Sequence, residues 1–381
     1  MNPSPIAKST ASVIVSNEGI PGDGMGSWTQ KIAYLLGSYA GNEIDYLLSG
    51  PTNTPFQSAT TTRIICNFSK AEITRKWFYP IKYRSYVNAL KSIIVKHDFV
   101  AIVVMDNTKL KNIVSDTIAQ HGWQHKCRVL FLQAGFSYEF TREEYRDFRQ
   151  GLQEIVLLTQ KSYLYERNKY HEYPFLVHVL HNPIHQELFY PLSNEQRHAK
   201  RLELGVESTE RMFLWVSHDR PKKGLDIIIR MWPDVVAKHP ASKLIIVGAK
   251  REIALPGLRF EGKIPNVEIA KYYQSADVFL FSSLCQEGFG LSLAEAMSCG
   301  CFCIASDVGG VDEFFNKNFG LLIQSPNQPA AWIAAIDQYY NDTGQHFALT
   351  DIRLLTYDEW CSRFQKIIND SIQFLMQSSN R

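Results

Sequence analysis

The run from Val278 to Glu313, VFLFSSLCQEGFGLSLAEAMSCGCFCIASDVGGVDE, constrains this chain more than any other stretch. It opens on an apolar, aromatic segment, Val278 to Phe281, bounded by Ser282 and Ser283, which reads as a buried strand. A glycine-containing turn leads into LSLAEAM, a good helix former, so the unit is strand, loop, helix. Glu287 lies in the loop and Glu295 within the helix. With the helix starting near Gly290, Glu295 sits about 1.5 turns inside it, on the order of 8 Å along the axis. The two carboxylates are therefore spread along a ligand rather than paired on one atom. Between them lies the helix N-terminus, whose free N–H groups and positive dipole end favour a phosphate, while Gly288 and Gly290 let a ligand approach the backbone. The layout suits a ligand with hydroxyls at both ends and a phosphate between them, and a nucleotide-sugar is such a molecule.

The residues Glu287-Gly-Phe-Gly-Leu291, Glu295-Ala-Met297, Gly300, Ser306, Gly309, Gly310 and Glu313 together resemble the donor-binding signature of the retaining glycosyltransferases of family four. An ordinary βαβ turn with glycines at caps and a surface glutamate explains each residue singly, but not their joint spacing. The resemblance implies an α/β chain with the GT-B fold. That fold has two Rossmann-like domains facing across a cleft and a C-terminal helix returning to the first domain.

The 381-residue length also favours two domains, and a 45% hydrophobic, 20% charged composition fits a globular protein with a sizeable core. A net charge of +2 gives no global reason to expect nucleic acid as a partner. Nothing in the sequence reads as a membrane span or a signal peptide: Lys8 interrupts the N-terminal stretch, whose apolar run is only Val13 to Val15. A cytoplasmic protein is expected. Seven cysteines do not form a disulfide framework, and Cys299, Cys301 and Cys303 lack the spacing and second ligand pair of a metal site. They read as small buried hydrophobes, and no metal or cofactor is expected.

Val13 to Val15 is the first strand, followed by PGDGMGSWTQ with Gly22, Gly24 and Gly26 at a strand-to-helix junction. A dinucleotide fingerprint would need GxGxxG rather than the GxGxG found, and Asp45 is only loosely placed as its ribose ligand. The resemblance instead implies a glycine-rich loop facing the donor phosphates, with Gly24 and Gly26 as donor contacts. Runs at 44–48, 63–66, 99–105, 128–133, 155–159 and 177–180 read as further strands alternating with helices, hence a doubly wound parallel sheet.

Residues 70–96 carry seven basic side chains against the single acid Glu72, interleaved with Trp77, Phe78, Tyr79, Tyr83 and Tyr86. Such a stretch can hold a protein on an anionic bilayer, here the inner face of the membrane, or be a helix face with its aromatics packed inward. Family members often place a histidine after a central strand of the first domain. Here RVLFLQAGF puts Gln133 at that place, a residue able to bond a hydroxyl but not to take a proton, with Asp106 as a second acceptor-side candidate.

The polar stretch 193–211 marks the domain change, giving 1–192 as the acceptor-side domain, 193–356 as the nucleotide-sugar domain and 357–381 as the returning helix. The loop His218-Asp-Arg-Pro-Lys-Lys-Gly224 follows the second domain's first strand. By resemblance, Lys223 and Arg220 meet the donor diphosphate, whose negative charge grows on departure and, without a metal, must be met by cations and N–H groups. Lys263 and Ile264 lie where family members set the base. Glu295 is assigned to the ribose hydroxyls and Glu287 to the donor sugar, with Gly288, Phe289, Gly290 and Leu291 lining the phosphates.

The implied reaction is metal-independent transfer of a sugar from a UDP- or GDP-linked donor to a sugar or lipid-linked glycan hydroxyl, with retention, in polysaccharide, lipopolysaccharide or glycolipid synthesis. The competing readings are a non-catalytic nucleotide-sugar-binding GT-B partner, a GT-B epimerase or phosphorylase, and an oxidoreductase resting on the first glycine loop alone.

Overall fold

The computed structural model describes residues 8–20, 27–53, 57–66, 83–341 and 354–379. Two units emerge: Met1–Leu158, Tyr163–His181 and Tyr357–Arg381 form the first, and Thr159–Ser162 with Asn182–Thr356 the second.

In the first unit the described strands β1 (Thr10–Val15), β2 (Tyr46–Ser49), β3 (Thr62–Ile65), β4 (Phe99–Met105), β5 (Cys127–Leu132), β6 (Glu154–Leu157) and β7 (Leu176–Val179) make one sheet in the order β3-β2-β1-β4-β5-β6-β7. All its pairings are parallel. Helices must then cover both faces, which is why FVAIVVM of β4 and CRVLFL of β5 are apolar or aromatic almost without alternation and buried throughout. The order reverses between β1 and β4, and in open α/β sheets that is the point outside which ligands bind. Directly after β4, Asp106 takes φ +38°, a left-handed conformation uncommon for a residue with a side chain.

Helix α1 (Ser27–Gly37) follows β1; the glycines read as a phosphate-facing loop, Gly24 and Gly26 among them, lie outside the described residues. So do residues 70–82 of the basic aromatic stretch. Of its described part, Tyr83 and Tyr86 are buried, and the Tyr86 hydroxyl donates to the Ser16 carbonyl at 2.8 Å. These two rings serve the core, as their place beside the buried face of α2 (Arg84–Lys96) requires, and are not available to a bilayer.

Helices α3 (Thr108–Gln120), α4 (Arg142–Arg149) and α5 (Gln160–Lys169) follow in turn. The last helix, α11 (Tyr357–Ser378), belongs to the first unit and packs on β1, β4, β5 and α1. Trp360, Phe364, Ile368, Ser371 and Leu375 recur at helical spacing on its buried face.

The second unit has its own parallel sheet, ordered β10-β9-β8-β11-β12-β13. Its strands are β8 (Arg211–Val216), β9 (Ser242–Val247), β10 (Leu258–Gly262), β11 (Val278–Phe281), β12 (Phe302–Ser306) and β13 (Gly320–Ile323). Helices α7 (Leu225–Lys238), α8 (Asn266–Ser275), α9 (Leu291–Ser298) and α10 (Pro329–Asn341) alternate with them. Trp215, Trp232 and Trp332 fill its core. The polar stretch after Ser193 forms α6 (Asn194–Glu203), started by a capping box between Ser193 and Gln196. Arg197 and Arg201 bind the partly buried Asp277 at 2.7 and 2.9 Å, tying α6 to the start of β11. Cys299, Cys301 and Cys303 are buried free thiols; only Cys303 lies on β12, and the Cys301 thiol donates to the Tyr273 carbonyl.

Candidate active site

The second unit gathers its charged groups at the C-terminal ends of its strands. After β8 the chain makes a short 3-10 turn, Pro221–Lys223, closed by Gly224 at φ +70°. A Cβ on Gly224 would lie 1.9 Å from the Ser282 carbonyl oxygen, so only glycine lets this loop sit against the end of β11. That approach brings Lys223 to Glu287: Nζ lies 2.5 Å from Oε1. The Ser283 hydroxyl donates to the same oxygen.

The glycine pair after β12 fixes the other side of the carboxylate-bearing loop. The Gly310 N–H donates to the Glu287 carbonyl at 2.9 Å, and the Gly309 N–H to the Gln286 side chain at 2.5 Å. Gly309 has φ +59°, and a Cβ there would stand 2.2 Å from the Glu287 carbonyl oxygen. Phe289 is buried and stacks on Phe314 at 4.3 Å between centroids, so its side chain packs the loop while its backbone stays beside the start of α9. Gly290, at φ +93°, turns the chain into α9, whose first residue is Leu291.

Glu295 lies on the second turn of α9 and is partly exposed. Burial pushes its carboxyl up to about 7, with a hydrogen-bonding influence of the Tyr273 hydroxyl acting in the opposite direction. The Tyr273 hydroxyl is buried and makes no hydrogen bond of normal geometry, and its own titration is driven well up, first by burial and then by the Glu295 charge.

Beside these groups a pocket of about 550 Å³ is lined by His218, Asp219, Arg220, Gly248, Ala249, Lys250, Gly262 and Lys263, from the ends of β8, β9 and β10. Asp219 is held by Arg251 through two hydrogen bonds, at 2.9 and 2.5 Å, and Arg251 also pairs with Asp226. The pocket is therefore left with the cations of Arg220, Lys250 and Lys263. The structure thus joins Lys223 with Glu287, and Arg220 with Lys263; Ile264 is next in the chain but does not line the pocket. Lys250, His218 and Ser283 escape a reading of the sequence. Their only signal is that each follows a strand of the same parallel sheet.

The acceptor-side candidates lie in the first unit. The Asp106 carboxylate accepts from the Ala134 N–H at 2.9 Å and the Tyr138 hydroxyl at 2.8 Å. Burial raises its pKa, with these bonds and the charge of Lys31 pulling it down. Gln133 is 1% exposed, and its amide nitrogen donates to the Phe136 carbonyl and, at 2.8 Å, to the buried Glu166. It is therefore built into the packing of the loop after β5. Among the described residues no group of three or more His, Cys, Asp or Glu could hold a metal ion, and no helix is long and apolar enough to cross a membrane.

Solved structures with this fold place the molecule in a class. Sucrose-phosphate synthase from Thermosynechococcus elongatus matches with a TM-score of 0.66 at 18% identity, covering 97% of this chain and 98% of that one. HepE from Anabaena, in complex with UDP and glucose, matches at 0.67 and 16% identity over 94% and 99%. The fold is α/β of the GT-B class, with two Rossmann-like domains.

Residues 196–350 match the model of the family described as Glycosyl transferases group 1. D-inositol 3-phosphate glycosyltransferase of Segniliparus rotundus is 31% identical over 157 residues, 36% of this chain and 34% of the relative. A GDP-mannose-dependent monoacylated alpha-(1-6)-phosphatidylinositol monomannoside mannosyltransferase of Corynebacterium glutamicum is 26% identical over 199 residues, 48% and 52% respectively. The chain spans about half the length of the curated relatives it matches.

Proposed function

We propose that this protein transfers a sugar from a nucleoside-diphosphate-sugar to a hydroxyl of a sugar or lipid-linked glycan, with retention at the anomeric carbon. The observation that carries the reading is the Lys223–Glu287 pair beside the N-terminus of α9, with Glu295 on the next turn. In this reading Lys223 and the N–H groups around Phe289 to Leu291 take the diphosphate, with Arg220 and Lys250 adding positive charge from the pocket. Glu295 accepts both ribose hydroxyls, Glu287 holds donor-sugar hydroxyls, and the base lies toward Lys263 and Ile264.

The acceptor oxygen bonds to the anomeric carbon as the carbon–phosphate oxygen bond breaks, and the acceptor proton passes to the leaving phosphate. No side-chain base is then required, which accords with Gln133 being buried with its amide engaged. The donor base is uracil or guanine: one relative is named GDP-mannose-dependent, and one solved neighbour holds UDP. The same reading places the work in the cytoplasm, in surface polysaccharide, lipopolysaccharide or glycolipid synthesis. Any adhesion to anionic lipid through residues 70–96 would proceed without the rings of Tyr83 and Tyr86, which are packed inward.

The test is a thermal-shift panel of UDP, GDP, ADP and NAD on the wild type and on Glu295→Ala, followed by transfer of labelled sugar from the donor of the preferred base. We expect one nucleoside diphosphate to raise the melting temperature of the wild type, with most of that shift lost in the variant. A response to NAD alone, or to nothing, would sink the reading; binding without transfer across a broad acceptor panel would favour a non-catalytic partner.

A further inference from the structure

The two serines that follow β11 are absent from the roles above, yet one holds the main chain of Lys223 and the other the carboxylate of Glu287. Ser282 is 1% exposed; its hydroxyl accepts from Trp215 Nε1 and donates to the Lys223 carbonyl, both at 2.9 Å. Ser283 is 2% exposed and gives its proton to Glu287 Oε1. The Leu284 N–H donates to the Lys222 carbonyl at 2.7 Å, so Ser282 and Leu284 stitch this end of the strand to the lysine loop on either side of Ser283.

Glu287 Oε1 therefore receives both the Lys223 ammonium and the Ser283 hydroxyl, filling the two lone-pair directions of that oxygen. Oε2 takes no hydrogen bond among the described residues, and it is not sealed inside the protein. The carboxylate thus has one anchored oxygen and one open one. A single ion pair would not achieve this, because an ammonium on a flexible stem follows either oxygen as the carboxylate turns. A second donor from a rigid strand end removes that freedom.

We propose that Ser283 is a positioning residue: it fixes the Glu287 carboxylate so that one oxygen stays with Lys223 and the other faces a hydroxyl of the donor sugar. The inference rests on the donor-site reading above. It assigns Ser283 to the recognition of the sugar rather than of the diphosphate. Ser282 does the corresponding work on the main chain of Lys223.

The experiment measures affinities of wild type, Ser283→Ala and Ser283→Thr for UDP, GDP, UDP-glucose, UDP-galactose, UDP-N-acetylglucosamine and GDP-mannose, with kcat and KM for donor hydrolysis. The wild type should hold one sugar derivative more tightly than its parent diphosphate. In Ser283→Ala that advantage and kcat should fall about tenfold, as for one lost hydrogen bond to a charged group. The loss should not appear on the free diphosphate, and Thr, which keeps the hydroxyl, should restore it. An unchanged sugar advantage in Ser283→Ala overturns the inference while leaving the donor site standing. Equal losses on diphosphate and sugar derivative that Thr does not restore mean a structural role only, and also overturn it. If no nucleoside diphosphate binds the wild type, the function proposed above fails and the inference falls with it. If diphosphates bind but no sugar derivative binds better, the role of Glu287 fails, and the inference with that role.

Discussion

Glu295 shows how one side chain can link ligand, proton and stability. In the role proposed for it, the ionised carboxylate accepts from the ribose hydroxyls, yet burial holds this carboxyl at about 7. Binding should therefore expel a proton below that pH. Affinity for the preferred nucleoside diphosphate should climb from pH 6 to pH 8 and level off above it. Calorimetry in buffers of different ionisation heat should show proton release that disappears in Glu295→Gln, and its absence from the wild type would falsify the ribose assignment. The same shift acts on the unliganded fold. The folded pKa lies above the usual unfolded value of about 4.3, so the favourable contribution is complete below that pH and is lost as pH rises through about 7. Compared with wild type, Glu295→Gln should melt higher at pH 8 than it does at pH 5. Both glutamates are legible in the sequence because spacing along one strand, loop and helix is local. The partner of Glu287 is not, since Lys223 stands 64 residues earlier in the chain. Gln133 is legible as the end of a strand, but only its packing against Phe136 and Glu166 shows where its amide points.

Between the side chains and the sheet stand the loops, and here glycine decides the geometry. Gly224 ends the lysine turn and starts α7 with no room for a Cβ against Ser282. Gly224→Ala combines a left-handed φ with a backbone clash, and should lower stability by about 2–4 kcal/mol. It should also reduce donor turnover more than replacement of a surface glycine, because it carries Lys223 away from Glu287. Gly122→Ala is the control: it has a similar φ of +67° but open space around the added carbon. Chemical denaturation and donor hydrolysis of the two variants decide the matter, and equal behaviour would remove the packing argument. The glycines of the Val278–Glu313 stretch are visible as a pattern in the sequence. That Gly309 is needed because it presses on the backbone of Glu287 is visible only in three dimensions.

The chain as a whole closes on itself through α11, which rejoins the first unit after the entire second one. A buried charge cluster holds it there. Glu154 on β6 binds Arg128 on β5, His178 on β7 at 2.6 Å and Ser371 on α11 at 2.7 Å, and the Arg128 guanidinium lies 4.2 Å from the Phe374 ring. Burial alone would raise the Glu154 pKa, but the bonds from His178, Arg128 and Ser371 outweigh it and hold it below the usual carboxylate value. A depressed pKa gives stability that is present above the unfolded value and lost as pH falls through the folded one. Docking of α11 should therefore loosen in acid. Glu154→Gln, which leaves Arg128 buried without its counter-charge, should cost about 3 kcal/mol. Hydrogen exchange should quicken along Tyr357–Ser378, and unchanged protection there would count against the cluster as the clamp.

Sequence by itself determined the alternation of strands and helices, the carboxylates and glycines around β11 and α9, and the amphipathic last helix. Those follow from periodicity and local spacing, which act over a few residues. The tertiary structure alone decided which cation meets which carboxylate, which oxygen of Glu287 stays open, and which polar residues serve packing instead of ligand. Hydrogen bonding and burial join residues far apart in the chain, and a parallel sheet brings the ends of separate strands to one edge without any trace of that meeting in the residues between them.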